Sequence, residues 1–519
     1  MAASVTRPLR LIVQPAQAAK FACPLCGSEH AAYVFGGSTF RVHRCAGCAL
    51  TFAATAADGD EIAELPPAPR AGSENRQAAL RAALSRLKGK KLLVVADDTE
   101  IVPLIEESGP SAGRVVGHRD LDGENLGGPY QGVVLTSALM RARDPRAALA
   151  KIRKSLEEGA PLVASLPMLD SAQARLMGRS WPEWQRWNRW YFTRETLQLL
   201  LLASGFAQVW FRDERRRYSL DTLVSRMRDS DEVSGWIVPL QAIHRVSPRY
   251  LRAREFSLPS GTAVTTAVAA PIRGEKTVSI IVPVFNEAAT VKSLLDALMA
   301  KQVPGFRREI IIVESNSTDG SREIVQSYAD YPDVRIVLQP APRGKGNAVR
   351  EGLALATGDI IIIQDADLEY DLEDYGGLLE PLAAWQSMFV LGSRHQGGWK
   401  MRKFSDSPLT AAVFNLGHVF FRDCVNLACG TRIADPFTMF KVFRRDALFG
   451  MALTCNRFDL DIELVIKLIR KGYVPIELPV NYVSRSLADG KKVRVFRDGA
   501  TWVWTILKAR LTPVGPGPA

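Results

Sequence analysis

Long apolar runs are missing from this sequence. None of its stretches approaches the ~18 consecutive apolar residues of a membrane span; the longest candidates, LQLLLLASGF and ATWVWTIL, are far shorter. The first twenty residues hold only Leu11-Ile12-Val13 as an apolar run, so the hydrophobic region of a secretory signal is lacking too. A cytoplasmic protein is therefore expected, with any membrane contact peripheral, at the cytoplasmic membrane. No short-period repeat and no low-complexity tract is present. What is there is ordinary for a folded chain: 519 residues, 47% hydrophobic and 23% charged. That length exceeds what one core supports and implies two or three domains. The formal charge of +11 favours anionic partners, among them nucleotide phosphates, anionic lipid and nucleic acid.

Cysteine is also scarce, with seven in all, yet four of them form two tight pairs. Cys23-Pro-Leu-Cys26 and Cys45-Ala-Gly-Cys48 have eighteen residues between them, the spacing of a tetrahedral zinc site. In a reducing compartment such pairs bind metal sooner than they form disulfides. Four thiolates close the coordination shell, so the zinc is expected to be structural, and Gly27 and Gly47 suit the tight turns. A unit this small buries little core, and metal would supply much of its stability. Cys424, Cys429 and Cys455 read as buried thiols.

The chain divides by texture. An N-terminal tail (1–20) precedes the Cys-bearing unit (21–55), and an acidic, Pro- and Ala-rich stretch follows it. Over 76–255, short apolar runs (KKLLVVA, GRVVGH, YQGVVLTS, APLVASLP) alternate with amphipathic stretches such as PRAALAKIRKSLEEG. Residues 256–275, small and uncharged until their end, read as a linker. The alternation restarts over 276–512. The expected fold class is α/β, with two Rossmann-like domains built on parallel sheets behind the small Cys unit. Trp181, Trp184, Trp187 and Trp190 recur at spacing three, which gathers them on one side of a helix. Packing against a neighbouring domain is the simpler use for them; a protein or membrane-surface contact is the alternative.

With a zinc ribbon in front of it, 76–225 resembles a class I S-adenosylmethionine-dependent methyltransferase. YQGVVLTSALMRARDPRAALAKIRKSLEEGAPLVASLP follows that family's fourth strand, helix and fifth strand, and YFTRETLQLLLLASGFAQV its late helix and strand. The glycine-rich cofactor turn is absent: LLVVADDTEIVPLIEE has no glycine after Val95 until Gly109, and Asp97 and Asp98 place carboxylates there. Asp120 is the candidate for the acidic ribose position. The domain therefore reads as degenerate, and S-adenosylmethionine is not expected as a cofactor.

The C-terminal segment holds the chemistry. GDIIIIQDADLEYD runs four isoleucines into carboxylates, which places them at the carboxyl edge of a parallel sheet, where open α/β sheets bind ligands. Asp365 and Asp367 are two apart, so on an extended chain they point to the same side. Paired carboxylates repel unless a cation relieves them, and hard oxygen ligands suit Mg²⁺ or Mn²⁺. Glu369, Asp371, Glu373 and Asp374 read as the solvated start of a helix. Seven pieces in order then resemble a family-2 glycosyltransferase of the GT-A fold, close to polyprenyl (dolichyl) phosphate mannose and glucose synthases. They are VSIIVPVFNEAATV, EIIIVESNSTDGS, RGKGNAVREGLALATGDIIIIQDADLEYD, GSR, ADPFTMFKVFRRDAL, FDLDIELVIKLIRKGYVPIELPVNY and SRSLADGKKVRVFRDG.

The resemblance implies roles for particular residues. Pro283, Asn286 and Glu287 would begin the nucleotide pocket, and Glu314 would contact base or ribose where most relatives have Asp. Asp319 would join the nucleotide site or cap the next helix. Arg343 and Lys345, flanking Gly344, suit phosphate. Asp365 and Asp367 would hold the metal and diphosphate, Asp435 would face the sugar or acceptor, and Arg485, Lys491 and Lys492 would cover the phosphates. The expected reaction is an inverting, single displacement on a nucleoside-diphosphate sugar. The acceptor would be a polyprenyl phosphate or a glycan precursor. Three alternatives stay open: a bifunctional methyltransferase and glycosyltransferase, a hydroxyl acceptor with Asp435 as base, or a non-catalytic nucleotide- or nucleic-acid-binding scaffold. No nucleic-acid motif supports the last.

Overall fold

The computed structural model describes residues 21–36, 40–55, 78–97, 101–123, 125–181, 183–185, 187–221, 224, 237–270, 276–394, 408–483 and 495–515. Two compact units divide the chain, Met1–Ile272 and Arg273–Ala519.

In the first unit β1 (Ala31–Gly36), β2 (Phe40–Cys45) and β3 (Thr51–Thr55) form an antiparallel meander that carries the cysteine pairs. A second sheet follows from β4 (Lys91–Val95), β5 (Ser111–Val116), β6 (Gly132–Leu135) and β7 (Pro161–Pro167), which pair in parallel in the order β5-β4-β6-β7. The runs LLVV and GVVL are buried throughout, as strands covered on both faces must be. The short β8 (Trp190–Tyr191) leaves this region to pair with β3. Then β9 (Phe206–Tyr218) and β10 (Phe256–Ala269) complete the second sheet, with β10 antiparallel to both β7 and β9. Helices α1 (Ala138–Arg141), α2 (Pro145–Lys154) and α3 (Arg194–Ala203) connect these strands.

Two expectations need correction here. Most of 256–275 is not a linker but β10, placed between two other strands. Ala263, Thr265, Ala267 and Ala269 are buried in it. Small size and lack of charge, read as linker composition, equally suit a strand with sheet on both sides. Nor do the tryptophans share a helix, because 181–190 is irregular among its described residues until β8 begins. Trp181 and Trp190 are buried, Trp184 lies edge-on to Phe35 at 4.9 Å between ring centroids, and Trp190 Nε1 donates to Ala142 O at 2.7 Å. The segment packs the Cys-bearing meander onto the second sheet, which is the simpler of the two uses.

The second unit is one seven-stranded sheet. Its members are β11 (Lys276–Val284), β12 (Phe306–Glu314), β13 (Val334–Leu338), β14 (Ile360–Ile363), β15 (Phe389–Ser393), β16 (Lys441–Arg444) and β17 (Ile476–Pro479), in the order β13-β12-β11-β14-β16-β15-β17. The first four are parallel, β16 is antiparallel to both its neighbours, and β17 is parallel to β15. Crossovers α4 (Val291–Ala300), α5 (Ser321–Gln326) and α6 (Lys345–Leu355) set the parallel block. Helices α7 (Pro408–Cys429), α8 (Leu460–Arg470) and α9 (Val495–Leu511) share a separate apolar core built on Val425, Ile462, Ile466 and Ile506. The carboxyl ends of β11, β12 and β14 thus open on one edge.

Candidate functional site

The turn after β11 and the turn after β12 are laced together at that edge. Asn286 sits at φ 51°, a conformation Asn tolerates better than most residues. Its backbone N–H donates to Ser317 Oγ at 2.9 Å, and its Oδ1 accepts the Thr318 N–H at 2.9 Å. The Glu287 N–H donates to Ser321 Oγ at 2.8 Å. Asp319 accepts from the Ala288 N–H, the Ser321 N–H and the Ser321 hydroxyl. Burial opposes its ionisation, but the Ser321 hydroxyl and these amides hold its carboxyl below the usual range. Asp319 therefore spends its oxygens on the scaffold, consistent with the capping alternative. Pro283 lies half-buried on β11 beside the same turn.

Glu314 ends β12 fully buried. Its Oε1 accepts the Ser317 N–H at 2.6 Å, while Oε2 has no hydrogen-bond partner among the described residues and faces the Arg322 guanidinium at 3.4 Å. A buried carboxylate oxygen left in that state suits a ligand donor. The strand β14 stops at Ile363, and a turn follows in which Leu368 takes φ 58°. Strand alternation therefore does not set the relative direction of Asp365 and Asp367, contrary to expectation. Asp367 Oδ1 accepts the Glu369 N–H at 3.2 Å, and the Thr290 hydroxyl fixes the turn by donating to Ala366 O at 2.7 Å.

A cation already stands at the first carboxylate. Lys345 Nζ lies 2.5 Å from Asp365 Oδ1, and both side chains are mostly buried. Lys345 is the first residue of α6, behind Gly344 at φ 97°. A Cβ at Gly344 or Gly346 would meet backbone atoms of Asn456 or Arg457 within 2.6 Å, so glycine lets this helix start press against that segment. Arg343 is exposed at the entrance to the same turn. The demand of Asp365 for a positive partner, with Asp367 close by in sequence, fits an oxygen-ligated divalent cation.

Asp435 is placed differently from expectation. It is fully buried, and Arg394 holds it through Nε at 2.7 Å, Nη2 at 2.8 Å and the backbone N–H at 3.1 Å. Glu477 in turn accepts the Ala434 and Asp435 amides at 2.8–2.9 Å. Burial opposes ionisation, yet the Arg394 guanidinium holds the Asp435 carboxyl well below the usual range. A carboxylate so depressed and so engaged is a weak base. The side chain acts as a clamp on Arg394 in this arrangement. Arg394 was missed as a site residue although GSR stood among the motifs; only its pairing across 41 residues gives it a role. Lys441 and Glu477 were missed as well, since each sits within a strand whose apolar pattern hides it.

The later carboxylates are not simply solvated. Asp374 accepts the Asn481 N–H at 2.7 Å and its Nδ2 at 2.9 Å, and Tyr482 donates to Glu369 at 2.9 Å. Glu373 pairs with Lys301 at 2.7 Å. These contacts anchor segment 480–483 beside the acidic turn. Arg485, Lys491 and Lys492 lie outside the described residues.

In the first unit, Cys23, Cys26, Cys45 and Cys48 bring their sulfurs within 4.8 Å of one another. Zn–S bonds of ~2.3 Å place tetrahedral sulfurs ~3.8 Å apart, so the set fits such a metal. The turns are built for it: the Gly27 N–H donates to Cys23 O at 2.9 Å and the Ala49 N–H to Cys45 O at 3.1 Å. At the carboxyl edge of β4, Asp97 accepts from Arg141 Nη1 at 2.7 Å and from the His118 N–H at 2.7 Å. Asp120 accepts the Gly117 N–H at 2.7 Å. Asp98 lies outside the described residues.

Comparison with known proteins follows the second unit. Residues 279–449 match the family model for Glycosyl transferase family 2. The dolichol-phosphate mannosyltransferase of Pyrococcus furiosus is 25% identical over 214 residues, 41% of this chain and 58% of its own length. A dolichyl-phosphate beta-glucosyltransferase of Trichomonas vaginalis, ALG5C, is 29% identical over 227 residues, 41% of this chain and 65% of its own. This chain thus spans less than two thirds of either relative. Glucosyl-3-phosphoglycerate synthase from Mycobacterium tuberculosis, solved with Mn²⁺, UDP and glucosyl-3-phosphoglycerate, is 22% identical. Its match covers 46% of this chain and 81% of the synthase, at a TM-score of 0.34, too low to add to the assignment. Residues 279–449, which include the open sheet edge, are thus similar to family 2 glycosyltransferases.

Proposed function

We propose that the second unit transfers a sugar from a nucleoside-diphosphate sugar to a polyprenyl phosphate, with inversion. The observation that carries this reading is the Asp365 carboxylate at the open sheet edge, paired with Lys345 inside the segment that matches the family. Both relatives named above bear dolichyl-phosphate transferase names. Glu314 and the Asn286–Glu287 turn would take the nucleoside, and Lys345 with Arg343 the diphosphate. Asp365 and Asp367 would hold Mg²⁺ or Mn²⁺, which supplies charge stabilisation to the departing diphosphate. A phosphate monoester is largely dianionic at pH 7, its second pKa being ~6. It needs no strong base, which agrees with an Asp435 already committed to Arg394. A glycan hydroxyl acceptor would need that base and is the weaker reading.

The outer faces of α7 and α9 support a lipid acceptor. Leu416, Phe420 and Leu427 on α7 and Trp504, Leu507 and Leu511 on α9 are exposed at helical spacing. The two helices touch through Phe421 and Trp502, with ring centroids 5.1 Å apart. Lys508 and Arg510 flank the apolar stripe on α9. This is the pattern of an interfacial contact with an anionic membrane, and among the described residues no helix is long and apolar enough to cross one. The protein would act peripherally at the cytoplasmic membrane. Flotation with anionic liposomes should carry the wild-type chain and release a Trp504→Ser/Leu507→Ser/Leu511→Ser variant; equal flotation of both removes the proposal.

The first unit would be a zinc-stabilised recognition or scaffolding module. Asp97 meets Arg141 and His118 at the edge where a methyltransferase cofactor would lie, which disfavours a bifunctional enzyme. S-adenosylmethionine is accordingly expected to give no heat of binding by calorimetry; a saturable signal would revive that alternative.

A further inference from the structure

Lys345 is positioned to do two things that exclude each other. Its ammonium neutralises Asp365, yet it begins the helix whose start faces the same sheet edge and would meet a diphosphate. We propose that Lys345 is an exchange switch: it serves Asp365 as an internal counter-cation until nucleotide and divalent metal arrive, and then leaves it for the diphosphate. This rests on the reading of Asp365 and Asp367 as the metal site and concerns the order in which that site fills.

The remaining contacts of Lys345 are weak, which makes the exchange feasible. Nζ lies 3.1 Å from Met439 Sδ and 5.9 Å from the Phe458 ring centroid, neither a charged partner. Lys441, fully buried on β16, pairs with Asp461 at 3.3 Å and so leaves Asp365 to Lys345. The ammonium and a dication compete for the same oxygen of Asp365. Divalent metal alone must therefore displace an ion pair that is mostly out of water, where charge interactions are strong. A nucleoside diphosphate supplies the displaced ammonium with new oxygens and frees the carboxylate. Metal and nucleotide then bind with positive coupling beyond their direct contact, and by linkage each tightens the other equally. The start of α6 cannot retreat to relieve the conflict, because Gly344 and Gly346 press it against Asn456 and Arg457.

The test is Mn²⁺ binding followed by electron paramagnetic resonance of the free ion, on the full chain, with no turnover needed. Wild type is expected to bind Mn²⁺ alone weakly and to gain about 5–150-fold on addition of UDP or GDP. In Lys345→Met the affinity for Mn²⁺ alone should rise about ten-fold or more, while the gain from nucleotide shrinks. Arg343→Met is the control, since it removes the same charge two residues away without a contact to Asp365. If Arg343→Met raises the Mn²⁺ affinity as much as Lys345→Met, the effect is general charge and the switch is overturned. The switch also fails if Lys345→Met leaves Mn²⁺ affinity unchanged while Asp365→Asn abolishes it. If Asp365→Asn changes nothing, the metal site itself is wrong, an outcome distinct from failure of the switch.

Discussion

Replacing Asp435 by Asn separates a clamp from a base. The substitution preserves shape but removes the charge opposite Arg394, whose guanidinium is almost wholly buried at the pair. Three contacts of 2.7–3.1 Å are weakened together. Breaking a buried pair by removing one partner costs about 3–5 kcal/mol, because the other charge stays buried and unpaired. For a domain of this size each kcal/mol moves the melting temperature by roughly 2–4 °C, so a fall of about 6–20 °C is expected by circular dichroism. The double variant Arg394→Met/Asp435→Leu should recover most of that loss, since an apolar pair of similar volume leaves no orphan charge. The acid side has a definite sign. The folded Asp435 carboxyl lies below its unfolded value of ~3.9. Its stabilisation is therefore complete above that pH and is lost as pH falls toward the folded value. Asp435→Asn should flatten the stability profile below pH ~4. A melting point within about 2 °C of wild type, joined to abolished activity, would refute the clamp and restore Asp435 as a base facing the acceptor.

Other perturbations have opposite signs at comparable sites. Gly346→Ala forces a Cβ to within 2.6 Å of Arg457 O and should cost about 1–3 kcal/mol in urea unfolding. Gly376→Ala, in a helix with nothing within 4 Å of the new methyl, should stabilise by about 0.5–1 kcal/mol. If Gly346→Ala also stabilises, the close approach at Gly346 is not real. Asp365→Asn should cut sugar transfer by ~10²-fold or more, from loss of several kcal/mol of charge stabilisation, with little change in melting; full activity would contradict the metal role. Treatment with a strong metal chelator, or Cys45→Ser, should red-shift tryptophan fluorescence, because Trp184 and Trp190 lie against Phe35 and Phe52 of the meander. Unaltered emission after either would show that the four cysteines do not hold this packing.

Much of the fold was legible because parallel strands in this chain are dense apolar runs. The four isoleucines of β14 could be placed from sequence, as could the amphipathic stretch that forms α2. What failed depended on partners distant in the chain. Strand β10 has the composition of a linker and becomes a strand only by pairing with β7 and β9. The site divides in the same way. The placement of Asp365, Glu314 and the Asn286 turn at the open edge was readable from motifs, because each lies at or just after the end of a strand. Arg394 was not, since its meaning lies in Asp435, 41 residues on. Glu369 and Asp374 do lead into a helix, Tyr375–Ala383, as read; the sequence did not show that they also anchor segment 481–482, more than a hundred residues away.

In the proposed reaction the second unit uses a nucleotide-sugar with a divalent metal held at Asp365. The direct measurement is release of nucleoside diphosphate from a panel of nucleotide-sugars, with Mg²⁺ or Mn²⁺ and a short-chain polyprenyl phosphate. One donor should turn over with metal and fail with chelator, and Asp365→Ala should abolish release while the protein stays folded. No thermal stabilisation by any donor, together with an Asp365→Ala chain indistinguishable from wild type, would contradict the account.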